Sequence, residues 1–277
     1  FMGSEASVYI YTGGSSDYAV NFAQLTQRAG NFLVSRDNIS NFKWSDVKGK
    51  TIIGGRAGGM PQMLLEYILK KNNISADLSA GLSLGEYTAL IEDGVFDFKD
   101  GVKLVKKRGE IMRDFVPKGN WKMSAILGLE EQKVNKICEQ VKDGFVVPAN
   151  YNTIGQIVIS GDEKAVLCAN ELAKKAGAKR TTLLKTTGPF HTEKLIECSK
   201  QLKKEIDKIK INQKECKVVK NIDGSIYSKS DDISKILSEH IMSPVRFTEC
   251  LKTMYENGTD TFIEIGPGKT LSGFVKR

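Results

Sequence analysis

The sequence predicts an α/β protein. Three observations carry the prediction. Short apolar runs of strand length alternate with longer runs whose apolar residues fall at helical spacing. A serine flanked by glycines, Gly81-Leu82-Ser83-Leu84-Gly85, stands where a strand gives way to a helix. Residues 122–186 read in the order β-α-β-β-α-β, a compact unit inside the longer pattern.

The elements follow in order. Residues 6–14 read as a strand into a turn, and residues 18–36 carry helical spacing. Residues 48–74 read as strand, glycine loop and helix, with Pro61 in the helix's first turn. That loop lacks the Gly-Lys-Ser/Thr ending of a phosphate-cradling loop, so a tight connection is the better reading. Ala76–Ala80 is a strand, and the helix after Ser83 ends at Gly94. A second helix covers Phe98–Phe115. The compact unit then runs strand Met123–Gly128, helix Glu130–Val141, strands Phe145–Asn152 and Gln156–Gly161, helix Glu163–Gly177 and strand Lys179–Lys185. Its order is that of a ferredoxin-like subdomain. After it come a Gly-Pro-Phe-His loop, an amphipathic helix, a strand at Lys217–Gly224, helices at Ile233–Ile241 and Ser243–Gly258, and a final strand, Gly-Pro-Gly loop and helix. The domains expected are 1–74, a core of 75–121 with 187–277, and the inserted unit at 122–186.

Composition narrows the function. The 277 residues are 40% apolar and 27% charged, the mix of a globular protein. The net charge of +8 is spread over polar helix faces and is not interleaved with aromatics. Nucleic acid is therefore not an expected partner. The alternative use of those lysines is docking of an acidic partner. Five cysteines at wide intervals, without CxxC spacing, suggest reduced thiols in a cytosolic protein and no metal site. No apolar run reaches the length of a membrane span, and no signal peptide is visible. The opening Phe-Met-Gly-Ser reads as the middle of a longer phrase.

The glycine-flanked serine has two readings. In the first it is a nucleophile on a strained corner, its hydroxyl clear of the sheet, with the following helix aiming N–H groups at developing negative charge. In the second it is an ordinary helix-capping serine in a glycine-rich turn.

Further motifs favour the first. "GLSLGEYTAL" at 81–90, "RGEIM" at 108–112, "NYNTIGQIVISG" at 150–161, "GPFHT" at 188–192, "SPVRFTE" at 243–249 and "EIGPGKTLSGFVKR" at 264–277 resemble, in order, the motifs of the malonyl-CoA:acyl carrier protein transacylase family. The resemblance covers residues 75–277. It implies an α/β-hydrolase-like parallel-sheet core and transfer of a malonyl group from malonyl-CoA to the thiol of an acyl carrier protein. It implies a seryl ester intermediate on Ser83 and no cofactor. It also implies a cytoplasmic monomer that uses neither nucleic acid nor membrane. His191 matches the family's catalytic base, and an ordinary imidazole pKa of about 6.5 suits that task. Arg108 matches the arginine that pairs with the malonyl carboxylate through a two-pronged guanidinium contact. Leu84, Gln156 and His240 complete the substrate-binding set. Gln156 is also readable as a strand-edge amide. His240 stands where many relatives carry glutamine, and filling space is its other reading.

The front of the chain departs from the family. The Gly-Gln-Gly-Ser-Gln-like motif, whose glutamine supplies an oxyanion donor, is not among residues 1–74. Those residues resemble instead a fragment of a periplasmic solute-binding protein of the thiamine-precursor, sulfonate or nitrate type. A chimera is therefore expected, with a seam near 72–78. Thr51–Gly54 is expected beside Ala76–Ala80, with the loop Gly55–Gly59 near Ser83 and turnover reduced.

Overall fold

The computed structural model describes Lys43 and residues 76–186, 188–265 and 269–276. The readings made on the rest of residues 1–75, including the placement of Thr51–Gly54, and on the Gly-Pro-Gly turn lie outside the described residues. The chain divides into two units, Phe1–Ser75 with Asp260–Lys276 and Ala76–Thr259.

In the larger unit the corner serine precedes α1 (Leu84–Glu92), and α2 (Phe98–Asp114) follows. Asp97 caps α2 by accepting a hydrogen bond from Lys99 N at 2.9 Å. The buried positions of α2 are Gly101, Leu104, Arg108 and Ile111, a single helical stripe. An arginine therefore lies on the face that the helix turns inward.

The next stretch is β1 (Trp121–Leu127), α3 (Glu131–Gln140), β2 (Val146–Thr153), β3 (Gln156–Asp162), α4 (Glu163–Lys175) and β4 (Arg180–Leu183). With β5 (Val245–Arg246) it forms a five-stranded sheet in the order β4-β1-β3-β2-β5. β1 pairs antiparallel with β3 and β4, β2 pairs antiparallel with β3, and β5 joins β2 in parallel. Strand alternation sorts the side chains. Ile126, Ile157 and Ile159 pack with Val134, Ile137, Val166 and Ala169 of the two helices. Met123, Ala125, Ala149 and Val158 form the opposite cluster, and Phe190 packs against it.

The return segment comprises a 3₁₀ turn (Glu193–Leu195), α5 (Ile196–Ile206), α6 (Ile233–His240) and α7 (Phe247–Glu256). The main core lies among α1, α2, α5 and α6, built on Tyr87, Leu90, Leu104, Leu202, Tyr227 and Leu237. Phe190 packs against this core as well, so the Gly-Pro-Phe-His loop is gripped from two sides.

Two sequence readings change here. Val245 and Arg246, read as helix, form β5, because a parallel edge on β2 takes up their backbone groups. The strands expected at Ala76–Ala80 and Lys217–Gly224 are brief. They meet in a parallel bridge between Ser79 and Val218, with Ser79 N donating to Lys217 O at 2.6 Å and Val219 N to Ser79 O at 2.9 Å.

In the smaller unit, α8 (Thr270–Val275) begins on the Glu264 carboxylate, which accepts hydrogen bonds from Leu271 N and Ser272 N. An acid at a helix N-terminus is favourably placed. No helix among the described residues is long and apolar enough to cross a membrane. All five cysteines are free thiols, and all but Cys168 are buried.

Candidate active site

Ser83 sits at the N-cap of α1 with φ 55° and ψ −100°, and its side chain makes no capping hydrogen bond. That conformation is costly for a residue with a Cβ. The capping-serine reading therefore fails. The two flanking glycines have unequal jobs. A Cβ on Gly81 would lie 2.0 Å from Gly85 C, whereas one on Gly85 would meet nothing within 4 Å. Gly81 is glycine because backbone crosses it; the crossing backbone is that of Gly85.

The Ser83 hydroxyl instead points at His191, with Oγ to Nε2 at 2.8 Å. His191 also has a positive φ, of 58°. Its loop is fixed by Thr192 Oγ1, which donates to Pro189 O at 2.7 Å. Nδ1 of His191 lies 3.2 Å from both His240 O and Ser243 O. Carbonyl oxygens only accept, so Nδ1 carries the proton and the Nε2 lone pair faces Ser83. Burial pushes the His191 imidazole down to about 3, helped by the nearby His240 and Arg108 side chains. The ordinary value expected from sequence is thus replaced by a base that stays neutral far into acid.

Arg108 reaches the same hydroxyl, its Nη2 donating to Ser83 Oγ at 3.0 Å. The side chain is only 7% exposed, and its guanidinium lies 5.5 Å from the Tyr87 ring centroid. Its neighbours Lys106 and Lys107 lie outside and pair with Glu110. A buried cation over a serine that faces a neutral imidazole favours any anionic group that enters.

The other expected residues are placed as follows. Leu84 opens α1 and its side chain is 45% exposed. Its N–H, in the first turn of a helix, has no intrahelical partner. Gln156 opens β3 in register with Leu127 and Thr153. His240 is buried behind His191, with ring centroids 5.1 Å apart at 32°. Its Nδ1 lies 2.9 Å from Glu86 Oε2, an ion-pair distance without hydrogen-bond alignment. Its backbone orients the base, a role the sequence did not offer for this residue.

Three residues of the site were not found from sequence. Glu86, fully buried on α1, accepts from Tyr227 Oη at 2.7 Å. Asn221 hydrogen-bonds the serine corner on both sides. Glu86 lies in the quoted motif, where a buried acid one turn past the serine was the available signal. Asn221 and Tyr227 are 138 or more residues away from their partners and carry no local signal.

Residues 68–277 match the family model described as acyl transferase domain. The malonyl CoA-acyl carrier protein transacylase of Bacillus subtilis (strain 168) is 43% identical over 210 residues, covering 75% of this chain and 66% of that protein. The chain thus spans just under two thirds of that relative's length. The transacylase of Staphylococcus aureus (strain MRSA252) is 33% identical over 260 residues, covering 90% of this chain and 84% of that protein. That coverage runs past the start of the family match into the first quarter of the chain. The crystal structure of malonyl CoA-acyl carrier protein transacylase from Clostridium perfringens superposes with a TM-score of 0.73 at 43% identity, covering 78% of this chain and 68% of that one.

Proposed function

This chain belongs to the acyl transferase domain family, and on that premise we propose that it moves a malonyl group from malonyl-CoA to the phosphopantetheine thiol of an acyl carrier protein through an ester on Ser83. The observation that carries the proposal is the meeting of His191 Nε2 and Arg108 Nη2 at one serine oxygen.

The residues divide the work. His191 Nε2 takes the Ser83 proton as Oγ attacks the thioester carbon. The negative charge that forms on the carbonyl oxygen faces the start of α1, where the Leu84 N–H is the donor at hand. The intermediate collapses, the C–S bond breaks, and the CoA thiolate leaves with the proton from His191. The carrier thiol then gives its proton to His191 and attacks the ester carbon, the bond to Ser83 Oγ breaks, and Oγ takes the proton back from His191, which returns both residues to their starting state. Arg108 leaves Ser83 Oγ to pair with the malonyl carboxylate, which selects this acyl group over uncharged ones. Gln156 and His240 belong to the acyl pocket in this reading.

Finer readings belong to the same proposal. The β-α-β-β-α-β order with strand order β4-β1-β3-β2 supports a ferredoxin-like subdomain at 122–186. The parallel Ser79–Val218 bridge beside the corner supports an α/β-hydrolase-like core. Free thiols support the cytoplasmic enzyme expected from sequence, and its monomeric state rests on the resemblance alone. Residues 1–74 resemble a solute-binding-protein fragment on their sequence alone, while the Staphylococcus aureus transacylase aligns into the same stretch.

The test is transfer. Radiolabelled malonyl-CoA is mixed with the protein and a holo acyl carrier protein. Label appearing on the carrier's thiol supports the proposal. A folded protein that leaves the carrier unlabelled over hours overturns it.

A further inference from the structure

We infer that Asn221 is the positioning residue of the nucleophile: it holds the Gly81–Ser83 corner in its strained shape. The inference rests on the reading of Ser83 as the acylated residue.

The strain needs a holder. Ser83 keeps φ 55° and ψ −100°, a conformation that costs roughly 1–3 kcal/mol and persists only where the surroundings impose it. Asn221 touches both sides of the corner. Its Oδ1 accepts from Ser83 N at 2.7 Å, and its Nδ2 donates to Gly81 O at 2.8 Å. A carboxamide is the side-chain group that offers an acceptor and a donor side by side, so it spans an N–H and a C=O two residues apart. The fold delivers it there. Ser79 and Val218 are parallel partners, so the chain leaves both strands in one direction and Asn221 arrives opposite Gly81–Ser83.

Asn221 is itself held. Its own N–H lies 3.3 Å from Glu86 Oε1, and the Tyr227 hydroxyl donates to the same oxygen at 2.7 Å. Asn221 and Glu86 are both fully buried. Glu86 sits on the helix that follows the serine, so corner, helix and clamp form one closed ring of contacts. With the Ser83 N–H taken by Asn221, the corner cannot tip to point that group at substrate, and the next N–H along is that of Leu84.

The test compares Asn221→Ala with Asn221→Asp in single-turnover acylation by malonyl-CoA. Aspartate matches asparagine in shape. Ionised, it accepts from Ser83 but gives Gly81 nothing; protonated, it both accepts and donates. Glu86, Tyr227 and Cys250 face this position, and Ser83 with His191 and Arg108 lies beyond it. Asn221→Ala should acylate roughly 10- to 100-fold more slowly at all pH values, the scale of an ångström-level misplacement, with KM near the parent's. Asn221→Asp should be slow at pH 8 and recover toward the parent rate as the pH falls to about 5, while the parent stays flat. A parent-like rate in Asn221→Ala overturns the inference. So does an Asn221→Asp rate that stays slow down to pH 5, where the protonated carboxyl can both accept and donate, a result that decides the matter even where the alanine variant fails to fold. A parent that takes no malonyl group at all defeats the acyl-transfer reading instead.

Discussion

Ser83 and His191 are the two non-glycine residues with positive φ among the described residues, and their side chains meet at 2.8 Å. Two strained backbones brought to one hydrogen bond mark the place where the fold gives up local comfort. The expected outcomes below follow from that contact and its surroundings.

The base should work far into acid. Burial holds the His191 imidazole down at about 3, so it is neutral across the neutral range. Single-turnover acylation of the free enzyme should be flat from pH 8 to about 5. A limb near pH 6.5, the ordinary imidazole value, would show that His191 is far more solvated than its surroundings imply.

The same burial makes stability pH-dependent, with a definite sign. The folded pKa lies below the unfolded value of about 6.5, so as pH falls below 6.5 the unfolded chain takes a proton that the folded chain refuses. Stability should drop by about 1.4 kcal/mol per pH unit from this group alone between pH 6 and 4. Carboxylates titrate there too, so the measurement is the difference between parent and His191→Gln in urea unfolding at each pH. Parallel curves for the two proteins would contradict the account.

Arg108→Ala should separate charged from uncharged acyl groups. Loss of one charge-assisted contact costs about 2–3 kcal/mol, or roughly 30- to 150-fold, in malonyl loading. Acetyl loading should fall much less. An equal fall for both acyl groups would mean that Arg108 serves the serine or the fold and does not read a carboxylate.

The two corner glycines should answer differently to alanine. At Gly81 the new Cβ would sit 2.0 Å from Gly85 C, so Gly81→Ala should destabilise by about 1–3 kcal/mol or more and stop acylation. At Gly85 the space is open and the backbone helical, so Gly85→Ala should be neutral or stabilise by up to about 1 kcal/mol. Thermal unfolding of both variants checks this. Equal losses would mean that the corner is not shaped as described.

What was legible in the sequence is what local chemistry encodes. The Gly81–Gly85 spacing announced the corner, and α2 fell within one residue of its expected end. The β-α-β-β-α-β unit was readable because each strand alternates and each helix keeps its own stripe. The β5 strand was not, since two residues become a strand only when β2 is beside them. Asn221 and Tyr227 were missed for the same reason: their meaning lies in partners on the far side of the chain. The lowered His191 pKa is likewise a property of burial, which residue type alone does not carry.

The most direct test of the central claim is to mix the protein with malonyl-CoA alone, then measure intact mass and map the modified peptide. The account predicts one malonyl group per chain, on Ser83, with an equal amount of CoA released, and no adduct on Ser83→Ala. A folded protein that gains no malonyl group, or one that carries it on a residue other than Ser83, would contradict it.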